Sequence, residues 1–524
     1  MAARTSRGRW GVAALTACTV SLGTVPAAWA ANDVLDPSTA LYVDFHSTSV
    51  QAAAGLAGQA QDDALLLASF PTATWLTKGT PDEVRATARE VVSDAAAQGQ
   101  VPTLVPYNLP FRDCAQYSAG GATTVAEYTA WIDAVAAGIG DAEAVVVLEP
   151  DSLGIIPWYT TINGQLEWCQ PAEADAATAA ADRFAMLNHA VDVLTALPST
   201  AVYLDGTHSG WLGVGDAADR LVAAGVERAD GFYLNASNYQ ETRKLEKYGA
   251  WISQCIYYGT NPAEGGWRLG HFEYCASQYY PATPSNFDTW GLTDQWYLDN
   301  VANAANPPSG PDVLAHFVID TSRNGQGPWT PPAGVYPDPQ DWCNPPDRGL
   351  GLRPTTDTGD PLIDAYLWIK VPGESDGQCT RGTTGPQDPA RGMVDPPAGV
   401  WFLEQAAELI AFAVPPVEPQ TCDVAHDQRG SSGQVSTSTL RLTNTGTTPV
   451  QAWELMFALD GDRDVTRVSH AAAERSGDLV TLHGDRTTRP GKHVTVTYST
   501  RPGAEAEEMP PLLFLLDGAP CTVS

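Results

Sequence analysis

The stretch VVVLEPDSLGIIP (Val145 to Pro157) sets two carboxylates, Glu149 and Asp151, directly after four apolar residues and just before a second apolar patch. A short apolar run rich in β-branched residues reads as a buried strand, and the acids stand where that strand gives way to a loop. Carboxylates at such a point lose water at a cost, so their presence asks for a chemical reason.

The same pattern recurs on both sides. The runs LYV (41–43), VPTLVPY (101–107), AVYL (201–204), GFYL (231–234), HFVI (316–319) and LIDAYLWI (362–369) alternate with amphipathic stretches. In these stretches Tyr128, Trp131, Val135 and Ile139, and again Phe184, Leu187, Val191 and Leu194, recur at helical spacing. This alternation predicts a βα barrel or a doubly wound sheet. Polar residues follow the runs: Asp44, Asp113, Asp205, Asn235, Asn238, Asp320, then Lys370, Glu374 and Asp376. Any one of them could simply mark a strand end. Parallel strands would bring all of them to one face, and in a barrel that face is where catalytic groups gather. The loops also carry Trp75, Trp158, Trp168, Trp211, Trp267, Tyr279, Tyr280, Trp329 and Trp342. Carboxylates beside flat aromatic faces suit a cleft that holds sugar rings, whose axial C–H groups stack on such faces. No HExxH pair, glycine-rich phosphate loop or nucleophile elbow competes with that reading.

Charge and cysteines set the surroundings. The chain carries 29 basic and 61 acidic residues, a formal net charge of −32, which repels nucleic acid and anionic membranes. Arg4, Arg7 and Arg9, an apolar stretch from Val12 to Val25, and Ala28-Trp29-Ala30 read as an export signal over residues 1–30, so the expectation is a secreted protein with no membrane anchor. Cys18 leaves with that signal, and the remaining eight cysteines form an even set with no C-x-x-C pair, as expected for four disulfides rather than a zinc or redox site. The proline-rich run from Val414 to Thr421 divides a large domain (31–413) from a small one (422–524).

The blocks VPYNLPFRDCAQYSAGG (105–121), VVVLEPDSLGIIP (145–157), YLDGTHSGWLG (203–213), NASNY (235–239), HFVIDTSRNGQGPW (316–329), DWCNPPDRGLGLRPT (341–355) and DAYLWIKVPGESDG (364–377) together resemble glycoside hydrolase family 6, the inverting cellulases, across essentially the whole large domain. The resemblance implies β-1,4-glucan hydrolysis on a distorted seven-stranded parallel βα barrel; neither metal nor organic cofactor is implied, and a monomer is expected. It implies Asp151 as the general acid, kept protonated by an apolar setting and nearby carboxylates. Asp113 matches the second aspartate that supports the acid, Asp376 the base, Asp205 a supporting carboxylate, and Ser118 a serine that positions water. In an inverting enzyme the acid and base stand roughly 6.5–9.5 Å apart to admit a water. Sugar binding carries over to Trp75, Tyr107, His208, Trp211, Asn238, Trp342, Lys370 and Glu374. Thr77 departs from the family, where many members have aspartate. The resemblance also implies the loop-tying pairs Cys114–Cys169 and Cys343–Cys379, with Cys255–Cys275 as an additional local bridge. That bridge would brace the long segment from Gln254 to Trp290, expected to close over the cleft as a tunnel. A tunnel favours a cellobiohydrolase releasing cellobiose from non-reducing ends over an endoglucanase. A protein that kept the barrel for noncatalytic glucan binding is the different-class alternative, opposed by retention of Asp113, Asp151 and Asp376 together.

Residues 422–524 read as a small all-β sandwich with Cys422 and Cys521 tying its ends. It resembles a family 2 carbohydrate-binding module through CDV, LTNTGTTPVQAWEL (442–455), VTRVSHAAAERSG (465–477), RPGKHVTV (489–496) and FLLDGAPCTV (514–523). Arg429, Ser469 and Gly484 or Asp485 stand where such modules expose aromatics, and Trp453 matches a buried core tryptophan. Tight binding to crystalline cellulose is therefore expected to be lost.

Overall fold

A computed structural model describes residues 34–261, 266–429, 435–459, 464–501 and 510–524; the expected export signal lies outside the described residues. Seven strands, β1 (Thr74–Leu76), β2 (Thr103–Pro106), β3 (Ala144–Leu148), β4 (Thr200–Asp205), β5 (Gly231–Leu234), β6 (His316–Asp320) and β7 (Ile363–Leu367), lie side by side in chain order, every neighbouring pair parallel. No ladder joins β1 to β7 among the described residues. The Ala73 N–H donates to the Trp368 carbonyl at 3.0 Å and the Trp75 indole N–H to the Ile369 carbonyl at 2.8 Å. The barrel is thus distorted, its β1–β7 seam bridged by these hydrogen bonds rather than by a ladder among the described residues.

Both faces of these strands are buried, which is why β3 reads as an unbroken apolar run. Val145 and Val147 point inward with Val105, Tyr203, Val318, Ala365 and Leu367. Ala144, Val146 and Leu148 point outward against the helical layer. That layer includes α1 (Thr48–Ala53), α2 (Gln59–Ala68), α3 (Pro81–Gln98), α4 (Val125–Ile139), α5 (Ala179–Leu194), α6 (Val214–Ala223) and α7 (Thr242–Thr260). Tyr128, Trp131, Val135 and Ile139 of α4 are buried as their spacing predicts. Thr80 and Glu83 form a capping box with Pro81 in the first turn of α3.

One expected strand is not one. LYV (41–43) contributes only a single bridge from Leu41 to Val101. The Val43 N–H is taken by the Gln100 side chain at 3.1 Å, and the Asp44 carboxylate accepts the His46 N–H at 2.8 Å, turning the chain toward α1. The first strand is instead the three-residue TWL, too short to stand out as a run.

The eight cysteines form Cys114–Cys169, Cys255–Cys275, Cys343–Cys379 and Cys422–Cys521. No helix among the described residues is long and apolar enough to cross a membrane.

From Cys422 onward the chain forms two five-stranded sheets. One contains β8 (Cys422–Arg429), β9 (Ser436–Asn444), β11 (Asp464–Ser469), β14 (His493–Arg501) and β17 (Thr522–Val523). The other contains β10 (Trp453–Ala458), β12 (Ala472–Ser476), β13 (Leu479–Gly484), β15 (Leu515–Leu516) and β16 (Ala519–Pro520). Between them lie Leu440, Trp453, Phe457, Tyr498 and Phe514. The second sheet is apolar on its other face too. Leu479, Leu513 and Leu515, with Met456 and Ala458 at their edge, pack against Phe45, Ala53, Leu65 and Ala68 at α1 and α2. The proline-rich run also lies along the barrel: the Val414 N–H donates to the Leu350 carbonyl at 2.8 Å and Arg353 to the Pro415 carbonyl at 2.9 Å.

Candidate active site

The carboxyl ends of the strands open into a cavity of about 680 Å³. Twelve of the thirteen expected site residues line it: Trp75, Tyr107, Asp113, Ser118, Asp151, His208, Trp211, Asn238, Trp342, Lys370, Glu374 and Asp376. Asp205 stands behind it.

Glu149 and Asp151, two residues apart, part company. Both have left-handed backbone, φ 51° and 64°. Glu149 is fully buried and accepts the N–H groups of Asn108 at 2.8 Å and Leu109 at 3.0 Å. It fixes the β2 loop, its carboxyl raised to about 7 by burial against those hydrogen bonds. Asp151 faces the cavity. Burial first, then the charges of Asp205, Asp113 and Asp376, push it well above the usual carboxylate range. Its loop is held by Asp205, whose Oδ2 accepts the N–H groups of Leu153 at 3.1 Å and Gly154 at 3.3 Å. Arg183 of α5 braces the same loop, donating to the Ser152 carbonyl at 2.8 Å and, across to the β2 loop, the Pro110 carbonyl at 3.0 Å. Gly154 has to be glycine: a Cβ there would lie 2.4 Å from the Trp211 ring.

Asp113, also left-handed at φ 52°, accepts the Ser118 N–H at 2.7 Å and is raised to about 6 by burial. So Ser118 holds Asp113 through its backbone.

Asp376 is the opposite of Asp151. Burial alone would raise it, but Arg323 at 2.9 Å, Lys370 at 3.9 Å and the Asn344 N–H at 3.0 Å hold it below the usual range. The Tyr239 hydroxyl donates to it as well, at 3.0 Å. One cleft therefore moves two carboxyls in opposite directions, Asp151 up through burial and neighbouring carboxylates and Asp376 down through Arg323 and Lys370.

A family model described as glycosyl hydrolases family 6 matches residues 37–413. The chain belongs to this family. It is 29% identical over 447 residues to endoglucanase A of Thermobispora bispora, covering 79% of this chain and 78% of the relative. To a probable 1,4-β-D-glucan cellobiohydrolase C of Aspergillus niger it is 31% identical over 391 residues, covering 70% and 74%. It also resembles the endoglucanase Cel6 of Mycobacterium tuberculosis, solved with methyl-cellobiosyl-4-deoxy-4-thio-β-D-cellobioside, with TM-score 0.50 and 33% identity over 71% of this chain and 96% of that one.

In this family 6 chain the aromatic residues form the cleft walls. Trp75 meets Tyr107 edge to face at 5.5 Å, and His208 lies 5.6 Å from Trp211. Burial lowers His208 to about 4, and its Nδ1 accepts the Gly210 N–H at 3.2 Å, so a neutral imidazole presents its Nε2–H. Glu374 accepts the Thr48 hydroxyl at 2.5 Å. The Asn238 side-chain oxygen accepts the Tyr239 N–H at 2.9 Å.

The segment expected to roof the cleft does not. Its described residues line none of the cavity. Cys275 is tied to Cys255 in α7, so the segment lies with the outer helices; Gln278 donates to the carbonyls of Ser209 and Leu212, and the Tyr279 hydroxyl to that of Trp211. A contact between two cavity-lining loops, those carrying Tyr117 and Trp342, lies elsewhere. The Tyr117 hydroxyl donates to Gln340 Oε1 at 3.2 Å, and its ring lies 5.9 Å from that of Trp342.

Arg323, Tyr239, Asn344 and Arg183 act in the site without having been singled out from sequence. Arg323 lies within the block HFVIDTSRNGQGPW, and a cation three residues past the Asp320 strand end was the available signal.

Proposed function

We propose that this chain is a secreted, monomeric, inverting β-1,4-glucan hydrolase, a cellulase acting on cellulose or related glucan chains. Asp151 protonates the departing glycosidic oxygen, Asp113 and Asp205 sustain its proton, and ionised Asp376 acts as base toward the attacking water. The observation that carries this reading is the opposed state of Asp151 and Asp376 across one aromatic-walled cleft. A proton NMR time course on cellohexaose tests it: α-anomer appears first, before mutarotation. Early β-anomer overturns inversion, and absence of cleavage favours noncatalytic glucan binding.

For mode of attack we propose a cellobiohydrolase: the Tyr117–Gln340 hydrogen bond ties together two loops that line the cleft, a restraint that favours entry by chain ends. The endoglucanase relatives support the second reading, internal cleavage. Viscosity loss per new reducing end on carboxymethyl cellulose separates them, a steep loss meaning internal cleavage.

For residues 422–524 we propose a structural role in place of cellulose binding. Ser469 is polar and bonds along its strand pair to Thr497, and a Cβ on Gly484 would sit 2.0 Å from the Trp453 ring, so no aromatic fits there. The side chain of Arg429 lies outside the described residues.

A further inference from the structure

Trp168 is 53% exposed, yet it lines the same cavity as Asp151, Trp211 and Trp342. A large ring this open gains little from folding. Its frame, by contrast, is tightly held. On one side Cys169 is bonded to Cys114, and its carbonyl accepts the Trp158 N–H at 2.9 Å. The Trp158 indole N–H donates to the Pro171 carbonyl at 3.1 Å. On the other side the Glu167 N–H donates to the Tyr159 carbonyl at 2.7 Å, and its carboxylate pairs with the fully buried Arg220 at 2.5 Å. Arg220 in turn pairs with Asp216 at 2.9 Å and donates to the Leu153 carbonyl in the Asp151 loop at 2.7 Å. An exposed apolar ring on a backbone anchored at both neighbours, facing a cavity, is a pre-organised contact waiting for a ligand.

Its place in the site follows from the disulfide. Asp113 precedes Cys114 and Trp168 precedes Cys169, and the two cysteine Cα atoms are 5.7 Å apart. Trp168 therefore belongs to the same tied pair of loops as the Asp113 carboxylate.

We propose that Trp168 is a sugar-stacking residue that takes the apolar face of one glucosyl unit on the Asp113 wall and makes the enzyme favour glucan chains long enough to reach it. This rests on the glucan-hydrolase reading above. Hydrolysis kinetics test it on cellohexaose and on an aryl β-cellobioside, with the full chain and its Trp168→Ala and Trp168→Tyr variants. Trp168→Ala should raise KM for cellohexaose about 10-fold with kcat within about 2-fold, leave the short substrate unchanged, and leave the melting temperature unchanged; Trp168→Tyr should restore most of the affinity. Unchanged KM in Trp168→Ala, or an equal loss on both substrates that Tyr fails to rescue, overturns the assignment while wild-type cleavage leaves the hydrolase reading standing. A wild-type protein that cleaves neither substrate overturns both.

Discussion

At the carboxyl ends of β3, β4, β6 and β7 the barrel buries Glu149, Asp205, Asp320, Asp376, Arg323 and Lys370, while the sandwich interior holds Trp453, Phe457, Tyr498, Phe514 and aliphatic residues, and its buried polar residues, Ser436 and Asn444 among them, carry no charge. The backbone differs in the same sense. Phe111, Asp113, Cys114, Glu149, Asp151, Thr207, Asn235 and Ser237 all have positive φ around the cleft, against His470 and Asp517 among the described residues of the sandwich. Such residues cost about 1 kcal/mol or more each and gather where a fold holds groups for chemistry. The barrel spends stability at one rim, and the sandwich lends its apolar outer face to α1 and α2.

The sharpest break in that contrast would come from Asp151. Replacing it with Asn should lower kcat on cellohexaose by about 10³-fold or more while oligosaccharide affinity, read by calorimetry, stays within a few-fold. Because the folded pKa of Asp151 is raised, its stabilising protonated form is fully present below the unfolded pKa and is lost as pH rises through the folded value. Asp151→Asn should therefore melt at a higher temperature than wild type at pH 8. A lower melting temperature there would contradict the cost assigned to the rim.

Arg323→Met should come next, at about 3–5 kcal/mol, because it leaves the buried Asp376 carboxylate without its cation. Asp376 has the reverse sign: its depressed pKa supplies stability above the unfolded value, lost as pH falls through the folded one. The Arg323→Met deficit, measured by urea unfolding, should thus shrink toward acid pH; a pH-independent deficit would assign Arg323 to packing alone.

On the sandwich side, Leu515→Asp puts a charge into the apolar contact with α1 and α2 and should cost about 2–3 kcal/mol with kcat on cellohexaose unchanged. Wild-type stability in that variant would mean the contact contributes nothing. A pull-down of residues 422–524 on microcrystalline cellulose that matches an aromatic-bearing module would overturn the structural role. The smallest effect belongs to His46 and Asp478, 3.7 Å apart and each 42% exposed at this contact; His46→Ala should change stability by less than about 0.5 kcal/mol.

Much of this was legible in the residues. Continuous apolar runs marked β2 to β7 because strands buried on both faces leave no polar alternation, and the acids after them marked the rim. TWL escaped because three residues make no period, and LYV misled because an apolar triplet says nothing about the Gln100 side chain that takes the Val43 N–H. The disulfide-tied segment from Gln254 to Trp290 looked like a roof because length and cysteines reveal restraint but not direction.

By itself the sequence determined which residue types meet at the rim, since strand order along the chain is also strand order in the sheet. Only the tertiary structure decided which way each carboxyl's pKa moves. Glu149 and Asp151 are neighbours in an apolar setting and burial raises both, yet Glu149 is clamped by backbone N–H groups that oppose the rise while the charges of Asp205, Asp113 and Asp376 add to that of Asp151. Asp376 is held below the usual carboxylate range because Arg323, 53 residues away, is folded against it. Protonation is set by burial and by the nearest charges, and both are properties of distance in space.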